Sequence, residues 1–141
     1  NTFENDLLQL IFNNVDIALI GDAAGLQNSV VAGSLYVSLH TADPGEAGTQ
    51  LTSEIAYTGY ARVAVARSGA GWTVAGNSVS PAAAINFPAG TGGSGTATHF
   101  GVGTDTTGAG KLLYKGAITP TIVCGDGVTP QLTTATAVTE D

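Results

Sequence analysis

Few residues in this chain have the type and spacing to do chemistry. Nucleophilic catalysis needs a Ser or Cys, a His to take its proton and an acid to orient that His. The 141 residues offer two histidines, His40 and His99, and one cysteine, Cys124. Ser94 lies in Gly92-Gly93-Ser94-Gly95-Thr96, where Thr96 occupies the place of the final glycine of a nucleophile elbow. Cys124 ends the apolar run Ile122-Val123 and reads as a small buried hydrophobe. Asp105-Thr106-Thr107-Gly108-Ala109-Gly110-Lys111 approaches a phosphate-binding loop, but Asp105 replaces its first glycine and Leu112 its Ser/Thr. No strong helix follows to complete an anion site, so a hairpin turn is expected there. His40 and His99 would join Asp43 as metal ligands only if the fold gathered them, and their spacing gives no such sign. Asp43 and Glu46 form a carboxylate pair that a polar turn explains, with no aromatic platform nearby in sequence. The residues therefore assign no catalytic role, no cofactor and no metal, and the expectation is a non-enzyme.

The elements that would carry these residues are β-rich. Hydrophobic residues make up 43% of the chain and charged residues 11%, which excludes a disordered chain. Twenty glycines among runs of Ala, Thr, Ser and Val suit many turns between half-buried strands. So low a charge content also fits a surface covered in part by neighbouring subunits. Eleven acids oppose only Arg62, Arg67, Lys111 and Lys115, a net charge of −7. Nucleic-acid binding needs clustered cations to neutralise phosphates, so direct binding is not expected. No apolar run approaches the roughly 20 residues of a membrane span, so no membrane insertion is expected. The acidic start, with Glu4 and Asp6, is unlike a signal peptide. A lone cysteine suits assembly in a reducing cytoplasm.

Phe3, Leu7, Leu8, Ile11 and Val15 recur at helical spacing, and Asn13-Asn14 offers a stop. The expectation is a helix over about residues 3–13, with Thr2 capping its free amides. Leu10 and Phe12 fall off the main stripe, so this helix is apolar nearly all round. It either closes the core or attaches to another subunit. Residues 17–26 suit a second short helix, broken by Gly21 and Gly25. From Ser34 the period becomes two. Strands are expected over residues 35–39, 60–66, 72–74, 78–80, 84–87, 96–102, 111–118, 121–124 and 131–138, with an Asp43-Pro44-Gly45 turn after the first. Such spacing argues for a mainly β fold, an antiparallel β-sandwich of about eight short strands with an N-terminal α-helix, a small closed barrel being the alternative. The organisation expected is a helical arm over 1–33 and a sandwich over 34–141, forming one structural unit.

Leu35-Tyr36-Val37-Ser38-Leu39-His40-Thr41-Ala42-Asp43-Pro44, Gly59-Tyr60-Ala61-Arg62, Ile85-Asn86-Phe87-Pro88-Ala89, Thr98-His99-Phe100-Gly101-Val102 and Leu112-Leu113-Tyr114-Lys115-Gly116-Ala117 occur in that order. The combination resembles a group of small bacteriophage virion proteins, often labelled tail-fibre proteins, over residues 34–118. Gly93-Ser94-Gly95 stands where such proteins often carry a bulkier Trp-containing loop, and the segment 15–33 is longer than the resemblance leads one to expect. The resemblance implies a structural protein of the virion, made in the host cytoplasm. Lacking coiled-coil or β-helix signatures, a compact acidic domain suits a capsid decoration (cement) protein on the major capsid protein lattice. The alternative is a tail or tail-fibre component that binds other tail proteins and contributes to receptor binding. A homo-oligomer, a trimer, is the expected state. A carbohydrate-binding module is a third class, with Tyr36, Tyr57, Tyr60, Trp72 and Tyr114 as its candidate aromatics. Interface candidates are Phe3, Leu7, Leu10 and Phe12 of the helix, with Arg62, Gly93 and Ser94. Arg62 is expected to pair with Asp43 or Glu54, or to face a neighbouring subunit.

Overall fold

The computed structural model describes residues 1–141. One helix opens the chain, α1 (Thr2–Asn13), followed by nine strands. These are β1 (Ser34–His40), β2 (Val63–Ala66), β3 (Trp72–Ala75), β4 (Ser78–Pro81), β5 (Ile85–Asn86), β6 (Ser94–Gly103), β7 (Leu112–Gly125), β8 (Gln131–Leu132) and β9 (Val138–Thr139). The fold is mainly β with antiparallel sheets, as the alternating pattern predicts. Contacts group the chain into two compact units, residues 1–34, 65–84 and 133–141 in one, and 35–64 and 85–132 in the other.

In the first unit, the cap of α1 is Asn1 rather than the expected Thr2. The Asn1 side chain accepts from the amides of Phe3 and Glu4, and Glu4 completes a capping box. The box is made with a Glu or Gln three residues after the cap: Asn1 has Glu4 there, whereas Thr2 has the shorter Asn5. The helix stops at Asn14, which takes the left-handed conformation (φ 58°) and returns its N–H to the Gln9 carbonyl. Leu8 and Phe12 are its buried residues, and Phe12 meets Trp72 edge to face at 4.8 Å between ring centroids. The β3–β4 hairpin turns at Gly76 (φ 64°), whose carbonyl accepts from the Asn5 side chain. On its other side β4 pairs with β9, and Glu140 N–H reaches the Asn77 carbonyl.

The second unit is built on β1, β6 and β7, successive neighbours in the sheet, with β5 and β8 paired separately. β1 and β6 run antiparallel with Val37 opposite Val102 and Leu39 opposite Phe100, so one face supplies core side chains. Ile55, Tyr57 and Phe87 are also buried, and the Tyr60 ring stacks on Phe87 at 6.3 Å. On the opposite face of β1, Ser38 and His40 are fully buried as well.

Four expected strands take other forms. Residues 60–62 stay outside the sheet, because Gly59 (φ 97°) makes a turn in which Tyr60 N–H bonds the Tyr57 carbonyl. The two strands expected over 111–118 and 121–124 are one strand, β7. Ala97 opposes Ile122 while His99 opposes Ala117, so residues 118–121 bulge from the ladder. Pro120 lies in that bulge on the sheet's edge, where its missing N–H costs nothing. The single strand expected over 131–138 is split by a Thr133–Thr136 turn into β8 and β9, one in each unit. The second helix over 17–26 is replaced by a hairpin in which Ile17 and Leu26 exchange both backbone hydrogen bonds, at 2.9 and 2.8 Å. Gly25 allows this: it sits at φ 71°, and a Cβ there would strike the Ile17 carbonyl.

Candidate interaction site

The only Ser–His contact of the chain is sealed in the core. Ser38 Oγ lies 2.8 Å from His40 Nε2, and His40 Nδ1 lies 2.8 Å from the Thr52 carbonyl oxygen. Nδ1 must therefore carry the proton and Nε2 accept from the serine hydroxyl. Both side chains are fully buried, so no substrate reaches them. Burial also pushes the His40 pKa below its ordinary value, which keeps the ring neutral. His99 faces His40 across the β1–β6 ladder but bonds Thr98 Oγ1 at 2.9 Å. Asp43 is drawn elsewhere, to the Gly45 amide and to Lys115 Nζ at 2.9 Å, which lower its pKa in that order. No group of three or more His, Cys, Asp or Glu side chains is placed to hold a metal ion. Lys115, Glu46 and Gly45 line a shallow groove of about 260 Å³ beside this turn.

The glycine loop before β7 is held from behind by side chains, not poised for an anion. Arg62 makes two bonds to Glu54, at 2.7 and 2.9 Å, in a pair whose side chains are 3% and 11% exposed. Its remaining N–H groups donate to the carbonyls of Asp105 and Gly108. Gln50 accepts from the Asp105 amide and lies where a Cβ on Gly103 or Gly110 would fall. The Glu54 hydrogen bonds raise the Arg62 pKa further, so this guanidinium is always charged. Tyr60 donates to Glu54 at 2.8 Å, and burial raises its phenol pKa strongly.

Arg67 plays a corresponding part in the first unit with different partners. It donates to the Leu10 and Ile11 carbonyls at the end of α1, and to the Ala32 carbonyl and Ser29 Oγ. The last carbonyls of a helix lack intrahelical donors and carry the negative end of its dipole, so a guanidinium suits them. No carboxylate shares the site, and desolvation lowers the Arg67 pKa. The segment so fastened is the 15–31 hairpin. Asp16 accepts from the Asn28 amide, Asp22 from Ala24 and Gly25, and Asn14 bonds both main-chain groups of Ser29. This ordered hairpin buries Ile17 and turns its other large apolar side chains outward. Val15, Leu19, Ile20, Leu26, Val30 and Val31 are all exposed, and Leu19, 79% exposed, is held at a positive φ of 72°.

The residues singled out from sequence fall in separate places. Phe3 is half exposed, Leu7 and Leu10 are partly covered, and Phe12 lies in the core against Trp72. Arg62 is engaged by Glu54, one of the two partners expected for it. Gly93 and Ser94 are exposed at the start of β6, where Gly93 has φ 67°. Among the aromatics, Tyr57 and Trp72 are buried. Sequence reasoning did not single out Arg67 or the exposed residues of the 15–31 hairpin. The signals available were the glycines at 21, 25 and 33 around Ile17–Ile20, which mark turns within an apolar run.

No curated protein sequence matches this chain. The model of one family, described as podophage GP4 fiber I protein gp80, matches residues 1–137. The match covers the helix, the hairpin and all the strands up to the turn before β9, and the chain belongs to this family of phage fibre proteins.

Proposed function

We propose that the chain is a non-enzymatic structural subunit of a podophage tail fibre. The observation that carries this is the family match, which extends over residues 1–137 and so includes both compact units. It supports the tail-fibre alternative above the capsid decoration role that size and charge put first. The chemistry of the fold agrees with a structural part. Its Ser–His pair is closed in the core, and its buried ion pair fastens a loop. Capping and arginine-to-carbonyl bonds fix short elements within each unit, which suits bearing a position within a larger assembly. Antibody labelling of purified particles, followed by electron microscopy, tests the proposal. Label at the tail is the expected result, and label spread over the head with none at the tail would return the decoration role to first place.

A further inference from the structure

We infer that the 15–31 hairpin is a docking element that inserts its apolar tip into a pocket rimmed by lysine or arginine on a different protein of the same particle. The inference rests on the fibre reading for the particle and on the hairpin for the surface. Seven of the nine exposed large apolar side chains lie in the first unit, and six of them in this one hairpin. Exposed apolar residues gathered in one place mark an interaction surface, whereas scattered ones need no explanation. The hairpin is also preformed. Its base is tied by Arg67 and its turns by Asp16, Asp22 and Asn14, so little ordering entropy remains to oppose binding. Leu19 stands in a backbone conformation that leucine disfavours, with its side chain in water. A glycine would relieve that strain, and a role for the side chain outside this chain accounts for leucine there.

Charge selects the occupant. The first unit carries Glu4, Asp6, Asp16, Asp22, Glu140 and Asp141 against one cation, Arg67, whose guanidinium is taken by carbonyls of its own unit. A second copy would bring the same acids to the contact. Of the remaining cations, Arg62 is held by Glu54, and Lys115 by Asp43 and Glu46, which leaves Lys111 alone to offset them. A surface of this kind meets an electropositive partner, and an anionic membrane would repel it.

The test uses assembled phage. A photoreactive phenylalanine analogue replaces Leu19, purified particles are irradiated, and the adduct is mapped by mass spectrometry. The expected adduct joins the chain to a different particle protein, on an apolar surface bounded by Lys or Arg. An adduct with a second copy, an adduct with phospholipid, an adduct on an acidic surface, or no adduct in particles that hold the chain would each overturn the inference while leaving the fibre reading standing. Absence of the unaltered chain from particles would overturn both. Leu19→Gly supplies the second arm. The purified variant should keep its unfolding midpoint, while its incorporation into particles falls tenfold or more. Undiminished incorporation would overturn the inference, and the midpoint separates lost docking from lost folding.

Discussion

Two loops in this protein are each held from behind by an arginine, and they differ in what the arginine meets. Arg62 faces a carboxylate, Glu54, and fastens the polar turn before β7. Arg67 faces only carbonyls and a hydroxyl, and fastens an apolar hairpin. In the first case the charge is neutralised at the spot, and the hydrogen bonds raise its pKa. In the second the charge is offset by the partial charges at a helix end, and burial lowers its pKa. The ion pair therefore stores its stability in two mutually dependent side chains. The carbonyl cluster spreads it over backbone groups that no substitution elsewhere can remove.

That difference can be broken or sharpened by substitution. Arg62→Ala leaves the nearly buried Glu54 carboxylate without its partner and should cost about 3–5 kcal/mol in urea unfolding, the largest loss expected. Arg67→Ala leaves carbonyls without a donor but strands no charge, and should cost about 2–3 kcal/mol. Equal losses for the two would break the comparison. Replacing both Arg62 and Glu54 by apolar residues of similar volume should recover much of the first loss. No second-site change offers Arg67→Ala the same recovery.

A pH series probes the other buried polar pair. His40 is held neutral in the fold, so its folded pKa lies below its unfolded value of about 6.5. Between those two values the unfolded chain binds more protons, and stability falls as pH drops below about 6.5. The urea midpoint should therefore be lower at about pH 5 than at about pH 7.5, and His40→Gln should flatten that dependence. A profile that His40→Gln leaves unchanged would assign the acid sensitivity to another group. The smallest effect is expected at the hairpin tip. Leu19→Gly relieves a left-handed leucine but loosens the unfolded chain, and the two terms should leave stability within about 1 kcal/mol of the parent.

The readable parts of the sequence were those where neighbours along the chain decide the structure. Helical spacing located α1, alternation located β1 and β6, and the break between the strands expected over 72–74 and 78–80 located the β3–β4 turn. The helix cap was misplaced by one residue, because the Asn1–Glu4 reciprocal bond outweighs a lone threonine. Residues 17–26 resisted for a different reason. An apolar run next to a helix suggests burial, and here Ile17 is buried while Leu19, Ile20 and Leu26 are turned to water, which no periodicity encodes. Arg62 could be narrowed from sequence to Asp43, Glu54 or a neighbouring subunit, and the fold selects Glu54. Arg67 could not, because every residue carries a carbonyl and only the fold shows which ones lack donors.

The division of the chain into interleaved segments has a consequence for how it folds. The first unit draws on residues 1–34, 65–84 and 133–141, so it is finished only when β9 reaches β4 and Glu140 finds Asn77. Contacts so distant in sequence form slowly. The apolar hairpin belongs to that unit, so a chaperone can reach it for as long as the closing strand has not docked.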